Sequence, residues 1–253
     1  MFVVLYNQKR KPMIKIFRRI RQSLLSEGKT GRYFKYAIGE IILVVIGILI
    51  ALQVNKWNDA RNLYSKEVTY LREVKNNLEF DLTHEINPAL LHLQNMLRAD
   101  SVFNIHIKTT DQGISPDSVR RLIWEISYDW DILFNTSGYE NLISVGIDLI
   151  SNDSLRSSIS TLYSYDYLYI QDYQSDVDKF TTEQYKPMFY EKMYNWPTDS
   201  IEKVRRVEKW KQDEILRSKF RMLRDYVRNR EFQLNAVKPK VEKLIKNIEK
   251  YID

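Results

Sequence analysis

The chain has 253 residues, no cysteine, and 39 Lys and Arg against 33 Asp and Glu, a formal net charge of +6. The absence of cysteine excludes disulfides and thiolate metal sites. Residues 1–35 hold ten basic side chains against one acid, whereas residues 56–253 hold 29 against 31. Because the excess positive charge is confined to the N-terminal segment, we expect no nucleic-acid partner.

Residues 1–35 are predicted to form a basic cytoplasmic tail. Apolar residues recur at helical spacing from Met13 to Leu24, with basic residues between them. This pattern is typical of an amphipathic segment that lies on anionic lipid, and it also serves as a positive-inside signal. The side chains expected near lipid headgroups are Lys15, Arg18, Arg19, Arg21, Lys29, Arg32 and Lys35.

Residues 36–54 are predicted to form one transmembrane helix. The only strongly polar residues among these 19 are Glu40 and Gln53. A helix of this length spans about 28 Å, close to the hydrocarbon thickness of a bilayer. Aromatic side chains flank the run and favour the headgroup level. These expected interfacial anchors are Tyr33, Phe34, Tyr36 and Trp57.

The distribution of basic residues predicts the orientation of this helix. Basic residues beside a span are retained in the cytoplasm, so we expect a cytoplasmic N-terminus and an outward-facing C-terminal part. The apolar run is too long for a cleavable signal peptide, and Ala51-Leu52-Gln53 lacks a small residue at the cleavage position. We therefore interpret the helix as an uncleaved signal anchor.

One face of the predicted span combines small residues with a carboxylate, and these residues are Ala37, Glu40, Val44, Gly47 and Ala51. Small residues let two helices approach closely, and a polar group on the same face can hydrogen-bond across the contact. Glu40 could equally be a tolerated residue that reaches the interface or Lys35. A third reading is a proton-coupled, stator-like role, which rests on analogy of layout alone.

The stretch from Met13 to Asp59, which includes "YFKYAIGEIILVVIGILIALQVNKWND", resembles the opening of a large uncharacterised family from Bacteroidota. The stretch "GYENLISVG" (residues 138–146) resembles that family more loosely. The resemblance implies placement in the inner membrane of a Gram-negative envelope and carries no assigned activity. With the orientation that the basic residues predict, the C-terminal domain is then expected in the periplasm. Family members usually begin at the position of Met13, so we expect translation to start there rather than at Met1.

Beyond the span, low Gly and Pro content and helical spacing predict an all-α fold. The span helix is expected to continue as a stalk and first bundle helix over residues 55–108, and residues 109–253 are expected to complete an extramembrane helical bundle. Pro88 either kinks the stalk or begins the next helix with Asn87 as its cap.

Helix boundaries beyond the stalk follow from turn and cap residues. Ser115 and Pro116 predict the start of a helix over 116–127, followed by an irregular stretch and a short helix from about 136 to 146. The segment 150–153 predicts the start of a long helix to about residue 192. A break at 195–199 precedes a strongly helical C-terminal segment, interrupted before Asp213 and bent at Pro239.

Charge is distributed unevenly over these elements. Residues 56–199 carry 13 basic and 22 acidic side chains, and residues 200–253 carry 16 and 9. The simplest interpretation is that the basic C-terminal helix packs against the acidic helices of its own bundle. The alternative is a basic face that binds an acidic partner.

The stretch from residue 150 to 196 is rich in aromatic residues. Tyr165, Tyr169, Tyr173 and Phe180 are spaced to share one face of a helix. They form either a bundle core with hydroxyl groups at its edge or a surface that binds a ligand or a protein.

No set of residues predicts catalysis, a cofactor or a metal site. Asp81, His84 and Glu85 would lie on one helical turn, but no second carboxylate-x-x-His motif completes a helical di-metal site. We interpret this turn as a solvated polar face. The predicted function is therefore interaction: a membrane-anchored scaffold or assembly factor, or a ligand-binding envelope sensor. The expected partners are lipid and a second copy of the chain or another inner-membrane protein.

Overall fold

The structure is a computed structural model that describes residues 30–108, 113–127 and 131–253. Within these ranges it contains helices and no strand, which confirms the all-α prediction. The chain divides into two compact units, Met1–Leu63 and Tyr64–Asp253.

The helices follow in chain order, with three π-helical turns among them. They are α1 (Thr30–Phe80), π1 (Asp81–Ile86), α2 (Asn87–Lys108), α3 (Pro116–Ser127), α4 (Ser137–Val145), a 3₁₀ turn (Ile147–Leu149), α5 (Asp153–Thr161), π2 (Leu162–Tyr167), α6 (Leu168–Phe180), π3 (Thr181–Tyr185), α7 (Lys186–Met193), α8 (Ser200–Gln212) and α9 (Glu214–Ile252).

In the first unit, the described part of the chain is the N-terminal portion of α1. Here lies the one helix segment of the described residues that is long and apolar enough to cross a membrane. None of its apolar window is buried, and the large side chains from Ile41 to Leu52 are 45–66% exposed. A soluble core helix would bury such a surface, so this segment is compatible with a membrane anchor.

The second unit is built around the C-terminal helix. α9 packs against α2, α5, α6 and π1, while α3 packs against both α2 and α8. The buried apolar residues of α9 recur every three or four positions, as an amphipathic helix requires, and include Leu234, Val237, Val241, Leu244 and Ile248. Aromatic contacts extend this core, for example between the rings of Phe103 and Phe220, whose centroids are 4.9 Å apart.

Side-chain caps begin several helices where the sequence indicates breaks. Ser115 accepts the Ser118 amide at 3.2 Å before α3, and Asn152 accepts the Leu155 amide at 3.0 Å before α5. Before α8 and α9, the capping residues are Asp199 and Asp213. Because such residues satisfy amides that lack an intrahelical partner, they explain the predicted starts after residues 115 and 152.

Of the two alternatives for Pro88, the start of a new helix capped by Asn87 is wrong. Asn87 is helical (φ −66°, ψ −45°), and its amide donates to the Leu82 carbonyl, five residues earlier. A proline inside a helix lacks an amide and crowds the carbonyl four residues before it. The wider π1 turn lies at this point, and the helix continues through Pro88. The same arrangement recurs where Lys186 donates to the Thr181 carbonyl just before Pro187.

Candidate functional site

Two regions contain the residues of functional interest: the apolar face of α1 and a polar centre inside the second unit. On α1, Ala37, Glu40 and Val44 line a shallow groove of about 330 Å³. Val44 is 57% exposed, and a Cβ atom added to Gly47 would meet nothing within 4 Å. Ala51 is exposed on the same face. The face is therefore open to close approach by another helix or by lipid.

The predicted interfacial anchors are exposed wherever the structure describes them. Phe34, Tyr36 and Trp57 are each at least 63% exposed, and the Arg61 guanidinium lies 6.0 Å from the Trp57 ring. Lys35 is also exposed. The predicted headgroup residues Lys15, Arg18, Arg19, Arg21 and Lys29 lie outside the described residues. For Arg32 and Tyr33 the structure describes the helical backbone only.

The predicted aromatic face divides into an exposed part and a buried part. Tyr165 and Tyr169 are 67% and 55% exposed, and their rings are nearly parallel with centroids 6.4 Å apart. Tyr173 is half-buried against Tyr226, at 5.9 Å between ring centroids, and burial raises the pKa of its hydroxyl. Phe180 belongs to the core. Only the first two tyrosines offer an accessible aromatic surface.

Several basic residues of the C-terminal segment pair with acids of the preceding helices. Lys240 lies 2.7 Å from Asp166, and Lys203 lies 2.9 Å from Asp117. For these residues the intramolecular interpretation of the charge asymmetry holds. They fix α8 and α9 against the rest of the unit at points where both partners keep some contact with solvent.

A column of polar side chains on the helix that opens the second unit binds another part of the chain. Asn77, Asp81 and Glu85 lie one turn apart, and Glu73 precedes them by another turn. Glu73 accepts from the side chain of Asn141 (2.7 Å), and Asn77 accepts from the Gly138 amide (2.7 Å). Asp81 accepts from the Asn135 amide (2.8 Å), and Glu85 accepts from the Leu133 amide (3.2 Å).

The column supplies hydrogen-bond acceptors to the backbone amides of a segment without regular secondary structure. Residues 131–136 form no helix, and we call them the strap. Besides the bonds to Asp81 and Glu85, the strap donates the Ile132 amide to Gln174 Oε1 of α6 at 3.1 Å. Because buried amides require acceptors, the strap is held in place by side chains rather than by regular backbone pairing.

The centre of the column is Asp81, whose exposure is 0%. Its Oδ1 accepts the Asn135 amide, while Oδ2 completes no hydrogen bond among the described residues. Next to it lie Tyr163 and Tyr167 of π2, both buried, whose hydroxyl groups also complete none. We call Asp81, Tyr163 and Tyr167 the polar centre. The ring of Tyr167 stacks on Phe134 of the strap, at 3.7 Å between centroids.

Burial controls the acid–base properties of this centre. Desolvation raises the pKa of Asp81 from 3.8 to about 6; the Asn135 amide and the nearby Tyr167 hydroxyl lower it, and the charge of Glu85 raises it. Desolvation and the Asp81 charge also raise the pKa values of Tyr163 and Tyr167. The tyrosines therefore remain neutral, and Asp81 is the group of the centre that changes charge near neutral pH.

The interpretation of Asp81, His84 and Glu85 as one solvated polar face is wrong. The three side chains diverge: Asp81 is fully buried, and Glu85 binds the strap. His84 is exposed, and its ring stacks on Phe80 at 4.4 Å between centroids. The described residues contain no group of three His, Cys, Asp or Glu that could hold a metal ion.

The polar column and the polar centre around Asp81 were not predicted from the sequence. The four-residue spacing of Glu73, Asn77, Asp81 and Glu85 was visible beside the apolar stripe of Val74 and Leu78. Spacing alone did not reveal that this polar column faces another segment rather than water. The partners of the column lie about 50 to 70 residues away in the chain.

Comparison with known proteins gives one family match. The model described as "Family of unknown function (DUF6090)" matches residues 40–195, which include the polar centre and the strap. No curated protein and no solved structure matches the chain. The match covers more than half of the chain and is consistent with the expectation of an uncharacterised family. The chain belongs to this family of unknown function.

Proposed function

We propose that this protein is a single-span inner-membrane protein whose second unit lies in the periplasm and acts by binding other proteins, as a scaffold or assembly factor of the envelope. The proposal rests on one observation: none of the apolar window of α1 is buried. Transferring such a surface from water to lipid is strongly favourable. The basic residues that precede it support a cytoplasmic N-terminus.

A binding role fits the way in which the second unit uses its polar groups. The acceptors of the column hold amides of the chain itself, and none of their contacts resembles a nucleophile paired with a base. The exposed rings of Tyr165 and Tyr169 supply rigid contact area of the kind that protein interfaces use. These features support interaction rather than catalysis.

Within the membrane, the face around Glu40 and Gly47 is the proposed contact surface for a second copy or another membrane protein. A bulky side chain at Gly47 would separate two helices packed on this face, whereas the same change at Gly39 would point about 80° away from Gly47, on the side opposite to the rest of the face. An added Cβ meets nothing within 4 Å at either glycine, so the pair is well matched.

Purification from native membranes in mild detergent tests the proposal. Wild type should bring down a defined membrane partner or a dimer. We expect Glu40→Gln and Gly47→Leu to reduce its recovery at least tenfold and Gly39→Leu to leave it intact. The chain has no cysteine, so Ala51→Cys can then report a dimer by disulfide formation, with Leu49→Cys as the off-face control. Wild-type monomers with no membrane partner would contradict the proposal.

A ligand-binding envelope sensor is the second candidate, favoured by the paired exposed rings of Tyr165 and Tyr169. Parallel rings at such a spacing offer a platform for a flat or cationic group. In a sensor, Tyr165→Ala and Tyr169→Ala would abolish a ligand-induced rise in melting temperature while leaving the membrane partner bound. Loss of the partner in these variants would instead assign the two rings to the protein interface.

A further inference from the structure

The π2 turn lacks the cause that accounts for the other two π-helical turns. π1 and π3 each end shortly before a proline, Pro88 and Pro187 respectively. No proline follows π2, where residues 168–172 read LYIQD. Instead, π2 carries Tyr163 and Tyr167, which are buried beside Asp81 of π1. Single π-helical turns inside α-helices are frequent at functional sites.

Among the residues that the structure describes, the charged and titratable groups that shift the pKa of Asp81 supply no cation to its negative charge. On its own helix, Glu85 opposes that charge. On π2 lie Tyr163, Tyr167 and Asp166, and the last of these binds Lys240 of α9. The strap contributes the Asn135 amide.

The buried Arg230 of α9 donates to Gln174 of α6 at 3.4 Å. Among the described residues, the groups that shift the pKa of Asp81 include no cation. A buried carboxylate without a cation is costly, whereas its neutral form is not.

We propose that Asp81 is a proton-dependent latch that holds the strap against the second unit. In the protonated form, Oδ1 still accepts the Asn135 amide, and the acid hydrogen on Oδ2 can donate to a tyrosine hydroxyl oxygen of π2. Loss of that proton places a charge in the polar centre. The strap then opens to admit water around the carboxylate, which releases the Asn135 amide and the ring of Phe134.

The direction of the pH effect follows from burial. The pKa of Asp81 lies at about 6, above its ordinary value of 3.8. Stabilisation by the neutral acid is therefore complete below about pH 4 and is lost as the pH rises through about 6. This rise in the pKa of Asp81 corresponds to a difference on the order of a hundredfold between the opening equilibria of the neutral and the ionised form. The latch is closed in acid and loosened at neutral pH, whichever side of a membrane the unit occupies.

Hydrogen–deuterium exchange of the full chain in detergent, between pH 5 and pH 8, tests this proposal. Rates in peptides that cover residues 131–138 are corrected for the intrinsic pH dependence of amide exchange. We expect protection in wild type to fall about tenfold from pH 5 to pH 7.5. Asp81→Asn should show constant protection, because its amide keeps an acceptor for Asn135 and a donor for the tyrosines. Asp172→Asn, at an exposed position of α6, should retain the wild-type pH dependence.

Tyr167→Phe supplies a second test that does not depend on the folding of Asp81→Asn. The Tyr167 hydroxyl lies next to Asp81, so its removal should move the midpoint of the protection change. The shift is to higher pH where the hydroxyl mainly donates to the carboxylate, and to lower pH where it mainly accepts from the neutral acid. A role of Tyr167 in packing alone would change protection without moving the midpoint. Protection of the strap that is independent of pH in wild type, a wild-type slope in Asp81→Asn, or an unmoved midpoint in Tyr167→Phe would each overturn the proposal.

Discussion

The two units use polarity in opposite ways. In the first unit, the apolar side chains from Ile41 to Leu52 are exposed, and in the second unit Glu67, Asp81 and Arg230 are at most 3% exposed. The first arrangement is compatible with a membrane anchor, while the second places polar groups where each needs a specific partner. Hydropathy along the chain therefore reports the surroundings of the first unit, but it does not report which polar residues of the second unit are buried.

The largest predicted contrast is between leucines of the two units. Leu78 is fully buried, whereas Leu49 is 58% exposed. Leu78→Ala should lower the free energy of unfolding of the second unit by about 2–5 kcal/mol, because it leaves a cavity in a packed core. Leu49→Ala should leave that free energy unchanged. Chemical denaturation in detergent, followed by circular dichroism, measures both, and equal effects would contradict the distinction between the units.

A comparably large effect is expected at Gly138, where the polar column approaches α4 most closely. A Cβ atom there would collide with Asn77 Oδ1 and would lie only 3.0 Å from backbone atoms of Glu73 and Val74. We expect Gly138→Ala to destabilise the second unit by about 1–3 kcal/mol, because backbone has to shift. At Gly113 an added Cβ meets nothing within 4 Å, so Gly113→Ala should change stability by less than about 0.5 kcal/mol. Similar melting temperatures for the two variants would disprove the close approach.

A change of opposite sign is expected at the polar centre. Asp81→Asn should stabilise the second unit at pH 7.5 by about 1–3 kcal/mol, because it removes the charge that burial disfavours. At pH 4 the buried acid of wild type is already neutral, so the difference should nearly vanish. Unfolding curves at both pH values measure it, and a variant that is less stable than wild type at pH 7.5 would contradict this reading of Asp81.

The smallest effect is expected from the ion pairs at the surface of the bundle. Lys240, with a side chain 56% exposed, pairs with Asp166 at 2.7 Å. Lys240→Gln should cost about 0.2–1 kcal/mol, and the loss should shrink in high salt because screening weakens exposed pairs. A loss of several kcal/mol, insensitive to salt, would show that this pair is part of the structural core.

Local signals made much of the fold predictable. The apolar run gave the candidate span, and Ser115, Asn152 and Asp213 marked helix starts because capping acts over three residues. The choice between the two alternatives for Pro88 could not be made from the sequence, since it depends on the π-helical turn that precedes the proline. The polar centre was hidden for a similar reason: Asp81 meets Asn135 and Tyr167 only in the folded bundle.

Sided labelling of single cysteines tests most directly whether the second unit lies across a membrane from the N-terminal tail. Because the chain has no cysteine, Ser23→Cys in the tail and Ser157→Cys on the exposed face of α5 provide unique sites. With a membrane-impermeant maleimide on intact spheroplasts, we expect labelling at position 157 and, at position 23, labelling only after permeabilisation. Labelling of position 23 in intact spheroplasts, or protection of position 157 there, would contradict the proposed topology.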